Sequence, residues 1–451
     1  MPELFTLTPV EEALKKLLSH LDAGPAAPGP LDSGSPSGNN GPLDSAARPP
    51  GQAETVPTEK ALGRFLAEPV TSPESLPAFA KSTMDGYAVR AADTYGASDS
   101  LPAYLKLTGE AKMGAAPRLS VGKGEAVVIH TGGMLPEGAD AVVMIEHTQK
   151  SGEGEIEVLR PAAEGENVIQ IGEDVREGSE LFPAGHRLRP QDIGGLTALG
   201  ITRAAAALPP RVAILSTGDE LVSPGETPEP GQVRDINSYT ISGIVTRAGG
   251  LPVPLGIFPD NYDTIFAAAE KAVPTAGSVS AAGQDSADIL VITAGSSVSV
   301  RDLTVRIING LGEPGVLVHG IAVKPGKPTI LGMCRGRPVL GLPGNPVSAM
   351  ITAQLFLVPL IRHLLGVPLS GVPAARDSVV SAVLSKNIRS APGKEEYAPV
   401  RLTGGSPYAA EPIFGKSNLI YTLVRADGLV KIPIDSNGLH QGEEADVFLF
   451  I

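Results

Sequence analysis

The chain has 451 residues, which exceeds the size at which a single hydrophobic core stops growing and favours about three domains. Its 53 glycines and 42 prolines indicate many tight turns, while a hydrophobic content of 42% excludes a wholly disordered or collagen-like chain. The net charge of −13, with no basic block along the sequence, argues against nucleic acid as the principal partner, so an anionic ligand would need locally placed cations or a metal.

The N-terminal part predicts a helix followed by a disordered insertion. Residues 8–21 place apolar side chains at helical spacing, with Thr8 as the expected N-cap. Residues 23–55 are rich in Pro, Gly and Ser and have few core-forming residues, so we assign them no chemistry. No basic region precedes an apolar run near the N-terminus, and the most apolar stretch is interrupted by Thr352, Gln354 and Pro359. We therefore expect a soluble cytoplasmic protein that does not cross a membrane.

The middle of the chain predicts a β module and a return to helix. Residues 103–148 consist of short apolar or alternating runs broken by Gly and Pro, which is typical of an all-β module. Residues 186–200 have helical spacing, with Pro190 near the start and Gly200 at the end. The single cysteine, Cys334, excludes an internal disulfide framework and a multi-cysteine zinc site.

The second half predicts an α/β domain and a terminal β domain. Apolar strands alternate with helical segments from 208 to 365, which indicates a doubly wound, mostly parallel sheet with a surface loop near residues 274–286. Strand patterns return after residue 366 and predict a small C-terminal β domain. The fold class is therefore α/β plus β.

Polar loops follow the predicted strands of this sheet, where ligands of α/β proteins usually bind. They carry Asp219 and Glu220 in "STGDEL", Asp260 in "FPDN", Asp302 in "TAGSSVSVRD", and Asn345 in "LPGNP". Because clustered carboxylates repel each other, such a rim favours a hard cation such as Mg²⁺ bridged to substrate phosphates. Taken singly, Asp302 and Asn345 are equally explained as helix N-caps, and the acidic pair as turn residues.

Two further motifs have both a structural and a functional interpretation. "KPGKP" presents Lys324 and Lys327 on a Pro-Gly turn, either as a solvated loop or as cations for an oxyanion. "STMDGYAV" contains Asp85 before Gly86, which we expect to make the bend that presents the carboxylate. No Walker or dinucleotide-binding motif is present, and His130 and His319 are interpreted as core or loop residues.

The motifs together resemble one family. "STMDGYAV", "HTGGMLPEGADAVVMIE", "GEDV", "RVAILSTGDEL", "TAGSSVSVRD", "VKPGKPTILG" and "GLPGNPVSA" occur in the order and spacing of molybdopterin molybdenumtransferases, the MoeA and gephyrin E-domain family. The resemblance covers the chain from Phe5 to its end, except for the two insertions.

The resemblance implies an elongated four-domain subunit in a homodimer whose active site is shared between the two chains. The implied domains are a discontinuous helical domain I, a β-rich domain II, a MogA-like α/β molybdopterin-binding domain III and a C-terminal β-barrel domain IV. Their expected ranges are 1–76 with 150–207, then 77–149, 208–365 and 366–451.

The implied reaction converts adenylylated molybdopterin and molybdate, with Mg²⁺, into molybdenum cofactor and AMP. A molybdopterin adenylyltransferase is a candidate partner, while nucleic acid and membrane are not expected partners. Two other functions stay open: a non-catalytic scaffold like gephyrin, and a molybdopterin adenylyltransferase. Retention of the acidic residues argues against the scaffold, and the extra β domains argue against the adenylyltransferase.

The resemblance also implies roles for individual residues. The catalytic candidates are Asp85, Thr131, Glu220 and Asp302. The metal ligands implied are Glu220, Asp260 and Asp302. The substrate-binding candidates are Asp174, Asp260, Ser297, Lys324, Lys327, Pro343, Pro346, Arg401 and Ser417.

The chain departs from the family pattern at three places. Ala80-Lys81 replaces an acidic position of many relatives, and Gly320 stands where some have a lysine. Pro399 occupies the place of an arginine, and Arg401, two residues along the same predicted strand, is the expected replacement. The lysine-turn and "GKSNL" motifs resemble a subgroup from organisms that also use tungsten, so the preference for molybdate or tungstate stays open.

Overall fold

The computed structural model describes residues 7–22, 51–274, 286–294, 298–368 and 379–450, and the side chains of residues 298–301 lie outside this description. Most of the predicted 23–55 insertion, most of the loop at 274–286, and Ser297 therefore lie outside the described residues.

The first described element is the predicted helix, α1 (Val10–Asp22). The prediction that Thr8 caps it is wrong, because the Pro9 carbonyl accepts the first helical hydrogen bond, from the Ala13 N–H at 3.0 Å, while Thr8 forms an isolated bridge with Ile321. Strands β1 (Ala53–Pro57) and β2 (Val70–Thr71) follow. The last residues of the predicted insertion are thus part of a strand.

The predicted β module is confirmed as a six-stranded sheet. After the short strand β3 (Lys81–Ser82), its strands run in the order β7-β4-β6-β5-β9-β8. They are β4 (Gly86–Val89), β5 (Ala103–Glu110), β6 (Glu125–Ile129), β7 (Ala141–Met144), β8 (Thr148–Gly152) and β9 (Glu155–Val158). The sheet buries small and branched side chains such as Val89, Leu105 and Ile156 in a core of its own.

The chain then returns antiparallel to the strands that precede the module. Strands β10 (Val168–Ile169), β11 (Glu180–Phe182) and β12 (Arg203–Ala207) pair with β3, β2 and β1 respectively. The predicted helix between them, α2 (Pro190–Ala198), begins at proline and is followed by Gly200 with a φ of 69°. This nested pairing makes the six-stranded sheet an insertion between strands that pair with each other, although the division of the chain into four domains stays a prediction.

The α/β prediction is confirmed by a sheet with the order β16-β13-β17-β21-β20-β18. Its first four strands are parallel; β20 runs antiparallel to its two neighbours β21 and β18, so β18 has the direction of the first four. The elements are β13 (Arg211–Thr217), β14 (Leu221–Val222), β15 (Val233–Arg234), α3 (Asn237–Ala248), β16 (Leu251–Phe258), α4 (Tyr262–Ala272), β17 (Ile289–Ala294), α5 (Val298–Leu311), β18 (Pro314–His319), β19 (Val323–Lys324), β20 (Ile330–Cys334) and β21 (Arg337–Pro343). The chain adds β16 on one side of β13 and β17 on the other, so the order in which strands are added changes direction between β13 and β17.

Helices cover both faces of this sheet. Along β13, Val212 and Ile214 pack into the core that contains α1 and α3, whereas Ala213 and Leu215 pack toward α4 and α5. This period of two is what a strand buried on both faces requires, because successive side chains point to opposite faces. The carboxyl ends of the parallel strands are therefore held at a single edge.

The helix after β21 consists of α6 (Pro346–Thr352), a π-helical turn (Ala353–Leu357) and α7 (Val358–Leu364). The wider turn precedes Pro359, which lacks the N–H that a continuous α-helix would use. The segment Pro346–Leu364 is long and apolar enough to span a membrane by length and composition alone, but 78% of its apolar window is buried. It packs on α3 as a core helix.

The C-terminal region is a closed five-stranded barrel, in which β24, β25, β22, β28 and β26 pair in a ring. Its elements are β22 (Val379–Leu384), β23 (Ile388–Arg389), β24 (Glu395–Thr403), β25 (Tyr408–Pro412), α8 (Tyr421–Val424), β26 (Gly428–Ile432), β27 (Gly438–Leu439) and β28 (Glu444–Leu449). Strand β19 pairs in parallel with β24, so the α/β domain and the barrel share a ladder.

Candidate functional site

A cleft of 820 Å³ lies between the α/β domain and the barrel. One wall is the turn 323–328 with Pro343, Asn345 and the start of α6, and the other is formed by barrel residues. The barrel residues are 388–389, Lys394, 396–399, 412–418 and Thr422. The cleft thus forms at the shared ladder.

The cleft is strongly cationic in a chain whose net charge is −13. Among the described residues that line it, five are cationic and a single one, Glu396, is acidic. The cations are Lys324, Lys327, Arg389, Lys394 and Lys416. Low-dielectric walls concentrate the field of such a cleft, which therefore favours a multiply charged anion.

Both lysines of the predicted turn lie at this cleft. The turn is closed by the N–H of Thr329 donating to the carbonyl of Gly326 at 3.1 Å and by the Thr329 hydroxyl donating to the same oxygen at 2.7 Å. Gly326 has a φ of +121° and packs against Thr352 of α6, so a Cβ there would overlap the Thr352 methyl group. Glycine therefore lets the turn lie directly on the core helix.

Ser417 joins the barrel to the N-terminus of α6. Its carbonyl accepts from the N–H of Val347 at 3.1 Å, and its hydroxyl accepts from Asn345 Nδ2 at 3.0 Å. Asn345 occupies the N-cap position before Pro346, but its side chain does not cap the helix. The barrel thus supplies the helix cap that the sequence analysis offered for the Asn345 side chain. Pro343 lines the same wall of the cleft.

The acidic rim is partly assembled at the end of β13. The N–H of Asp260 donates to Asp219 Oδ1 at 3.1 Å. Burial is the largest cause of a raised pKa of the Asp260 carboxyl, and the negative charges of Asp219 and Glu220 add to it. Among the described residues, the buried Asp260 Oδ1 and the buried Thr217 hydroxyl have no partner in good hydrogen-bond geometry, although the Thr217 hydroxyl lies near enough to Asp260 to offset part of the rise of its pKa. Buried polar atoms without a well-aligned partner in the described part of the chain favour a ligand with a positive charge or a donor at this edge of the sheet.

The three predicted metal ligands do not form a metal site by themselves. Among the described residues, no three His, Cys, Asp or Glu side chains lie close enough together to hold a metal ion. Asp302 is exposed on α5, four residues after its first residue, so the alternative that it is an N-cap is wrong. Mg²⁺ fits this arrangement nonetheless, because it is usually bound by one or two carboxylates together with substrate phosphates.

Asp85 is held by the loop that follows β6. Its Oδ1 accepts from the Thr131 N–H at 2.8 Å and from the Thr131 hydroxyl at 3.2 Å, and lies 3.6 Å from His130 Nδ1. The Thr131 N–H is the largest cause of a lowered pKa of the Asp85 carboxyl. The carboxylate is exposed, and nothing in the described part of the chain joins it by a hydrogen bond or ion pair to Glu220, Asp260 or Asp302.

Gly86 has a different role from the expected one. It is the first residue of β4, which lies between β6 and β7, and a Cβ there would overlap the carbonyl oxygen of Val143. Close strand packing, rather than a bend, therefore requires glycine. His130, interpreted as a core or loop residue, lies exposed between Asp85 and Glu110, with Nε2 3.1 Å from Glu110 Oε1.

Asp174 is exposed and donates its N–H to the carbonyl of Leu76 at 3.1 Å. This places it at the base of the segment that leads to Asp85. Pro346 is buried as the first residue of α6 and does not line the cleft.

Pro399 lines the cleft, whereas Arg401 does not. The guanidinium of Arg401 instead pairs with Glu411 at 2.7 Å on the outside of the barrel. The sequence reasoning missed Arg389, Lys394, Glu396 and Lys416. Lys394 follows a Pro-Gly pair, as Lys327 does, and Lys416 directly precedes Ser417, so these two positions offered a signal.

Three family models match the chain in order. "MoeA N-terminal region (domain I and II)" matches residues 8–200, "Probable molybdopterin binding domain" matches 213–363, and "MoeA C-terminal region (domain IV)" matches 381–450.

Individual relatives match over most of their length. A molybdopterin molybdenumtransferase of Bacillus subtilis is 33% identical over 90% of this chain and 94% of its own, and one of Haemophilus influenzae is 34% identical over 77% and 81%. A crystal structure of the molybdopterin biosynthesis MoeA protein from Pyrococcus horikoshii is 30% identical, covers 99% of this chain and 100% of its own, and has a TM-score of 0.79.

Proposed function

This chain belongs to the MoeA family of molybdopterin molybdenumtransferases, and we propose on that premise that it is an enzyme of molybdenum cofactor biosynthesis. Its proposed reaction inserts molybdate or tungstate into adenylylated molybdopterin and releases AMP. The observation that carries the proposal is the cleft between the α/β domain and the barrel, whose described lining residues include five cations and a single carboxylate.

The charges of the cleft suit substrates that are all anions. Lys324 and Lys327 approach from the α/β side, and Arg389, Lys394 and Lys416 from the barrel. Converging oxyanions and phosphates repel each other, so neutralising them from two sides lowers the cost of bringing them together. Planar guanidinium groups bind oxyanions through two parallel hydrogen bonds, which gives Arg389 the geometry to orient a tetrahedral oxyanion.

We propose that Mg²⁺ is held at the acidic rim by Asp260 and Glu220, with Asp219 as a neighbour. Mg²⁺ would supply charge neutralisation for the substrate phosphate oxygens. The buried Oδ1 of Asp260, which has no well-aligned hydrogen-bond partner among the described residues, supports this assignment. Because burial raises the pKa of Asp260, a cation at this edge would also favour its ionised form.

We propose further that the active unit is a cytoplasmic homodimer and that Asp85 acts from the second chain. Thr131 fixes an exposed, ionised carboxylate that contacts no rim residue in the described part of its own chain. Asp85, Thr131 and Asp174 lie on the β insert and at its base, whereas the cations lie at the barrel. A second copy would bring the two groups together, and a molybdopterin adenylyltransferase is the proposed supplier of substrate.

A scaffold and an adenylyltransferase are the competing functions. The cationic cleft disfavours a scaffold, because unpaired like charges destabilise a fold that does not use them. The matches to residues 8–200 and 381–450 disfavour an adenylyltransferase, which would need the α/β domain alone.

The test supplies the full chain with adenylylated molybdopterin, Mg²⁺ and either oxyanion, and measures AMP release and metal insertion. Lys327→Gln should reduce both strongly, while Lys386→Gln, a matched change of a barrel lysine paired with Glu411 outside the cleft, should not. If neither oxyanion supports AMP release by the wild type, the transferase function is wrong.

A further inference from the structure

Glu396 stands out because it is acidic in a cationic cleft. Its Oε1 and Oε2 lie 2.9 Å and 3.0 Å from Lys324 Nζ. The Ser390 hydroxyl donates to Oε2 at 2.7 Å. The Glu396 side chain is 14% exposed, whereas that of Lys324 is 58% exposed. The carboxylate is thus held by two partners in a largely buried position, and the ammonium group is the more exposed member of the pair.

The backbone keeps this pair in register. In the parallel ladder between β19 and β24, Lys324 stands opposite Glu396. By contrast, Lys327, Arg389, Lys394 and Lys416 have no ion-pair or hydrogen-bond partner for their side chains among the described residues. Lys324 is therefore the cation of the cleft whose charge is already engaged.

An anion entering the cleft must compete for Lys324. It meets an ammonium group that already donates to both oxygens of Glu396. Because Ser390 and the strand ladder hold Glu396 in place, Lys324 has to turn away from it before it can bind the anion fully. Breaking a partly exposed ion pair has a modest cost, which is subtracted from the anion's affinity.

We propose that Glu396 is an internal competitor for Lys324 and sets the affinity of the cleft for oxyanions. This inference rests on the proposed function, in which the cleft receives an oxyanion. The competitor raises the Kd of every anion that uses Lys324. A weakly held anion is then excluded, whereas a dianion that also engages the other four cations is retained.

The test measures molybdate and tungstate binding to the full chain by isothermal titration calorimetry at low ionic strength. Glu396→Gln should lower the Kd by roughly threefold to fivefold, the equivalent of one partly exposed ion pair. Glu395→Gln is the matched control. Glu395 is the adjacent residue, is 16% exposed and pairs with Lys431 at 3.0 Å, but does not line the cleft, so the Kd should be unchanged.

A double substitution separates competition from a general field effect. If Glu396 acts through Lys324, then Glu396→Gln in a Lys324→Gln background should leave the Kd at that of Lys324→Gln alone. Glu396→Asp keeps the negative charge but moves it one methylene away from Lys324, so it should tighten oxyanion binding less than Glu396→Gln does. This variant replaces Glu396→Gln in the test if that protein folds poorly.

Three outcomes would overturn the inference. These are an unchanged or higher Kd in folded Glu396→Gln and Glu396→Asp, a gain that persists without Lys324, or an equal gain in Glu395→Gln. If the wild type binds neither oxyanion, the oxyanion cleft itself is refuted and the inference falls with it. A normal wild-type Kd with no effect of Glu396 refutes the inference alone.

Discussion

Replacing Gly326 by alanine tests whether the lysine turn is built on the core helix. Gly326 has a φ of +121°, and a Cβ would overlap the Thr352 methyl group and lie 3.2 Å from Cγ1 of Val323. Thr352 is fully buried, and its hydroxyl donates to the carbonyl of Ser348 at 2.8 Å. The turn therefore cannot move inward, and alanine should push it away from α6.

Two effects determine the cost of this substitution. A non-glycine residue at this φ stores about 1–3 kcal/mol of backbone strain. Overpacking a filled core adds about 1–3 kcal/mol. We therefore expect Gly326→Ala to lose about 3–4 kcal/mol of unfolding free energy. It should also weaken oxyanion binding, because Lys324 and Lys327 flank the displaced turn.

Urea unfolding and calorimetric titration with molybdate provide the measurements. Thr352→Ser removes the obstructing methyl group but keeps the hydroxyl, so the double variant should regain about 1–2 kcal/mol relative to Gly326→Ala and part of the binding. Thr352→Ser alone is the control for the methyl group lost from the core. Wild-type stability of Gly326→Ala, or a double variant no better than the single one, would refute the packing argument.

Three other predictions concern separate parts of the molecule. Asp192 accepts hydrogen bonds from Arg189 and His186, which lower its pKa, so Asp192→Asn should cost about 2 kcal/mol at pH 7. The stabilisation is complete above the ordinary aspartate pKa and is lost as pH falls toward the lowered one, so the difference between wild type and variant in urea unfolding should begin to shrink below about pH 4 and keep shrinking as the pH falls further. Ser417→Ala should lower the free energy of unfolding by about 1 kcal/mol, because it removes the hydrogen bond to Asn345 Nδ2 but keeps the Ser417 carbonyl as the cap of α6. It should also lower kcat by more than this loss of stability explains. Mixing Asp85→Asn with Glu220→Gln subunits should restore AMP release through one intact cleft; no recovery after confirmed subunit exchange would contradict a shared site.

Much of the fold follows from local patterns in the sequence. The apolar run of β13 and the amphipathic stripe of α1 were predictable because burial on one or two faces dictates their spacing. Helix ends were less predictable. Thr8 and Asp302 are good caps by residue type, but Thr8 pairs with Ile321, and Asp302 lies inside α5. A long-range bridge decided the position of Thr8, which no local pattern encodes, and α5 begins four residues before Asp302.

The site was predictable where motif and loop coincide, as for Lys324, Lys327 and Ser417. The opposite wall was not, because pairing of β19 with β24 brings Arg389 and Glu396 to residues far away in the chain. Alternation along β24 could show that Pro399 and Arg401 share a face, but not that the cleft ends between them. Long-range pairing, rather than residue type, thus sets the composition of the cleft.

The Ser417 carbonyl that caps α6 has a consequence for chimeric proteins. An α/β domain joined to the barrel of a relative would receive a foreign helix cap and a foreign set of barrel cations, while its own lysine turn stayed the same. The ligand preference of such a chimera should therefore depend on the source of its barrel as much as on the source of its α/β domain. Descent of the two modules as a unit would preserve this shared surface, and recombination between them would break it.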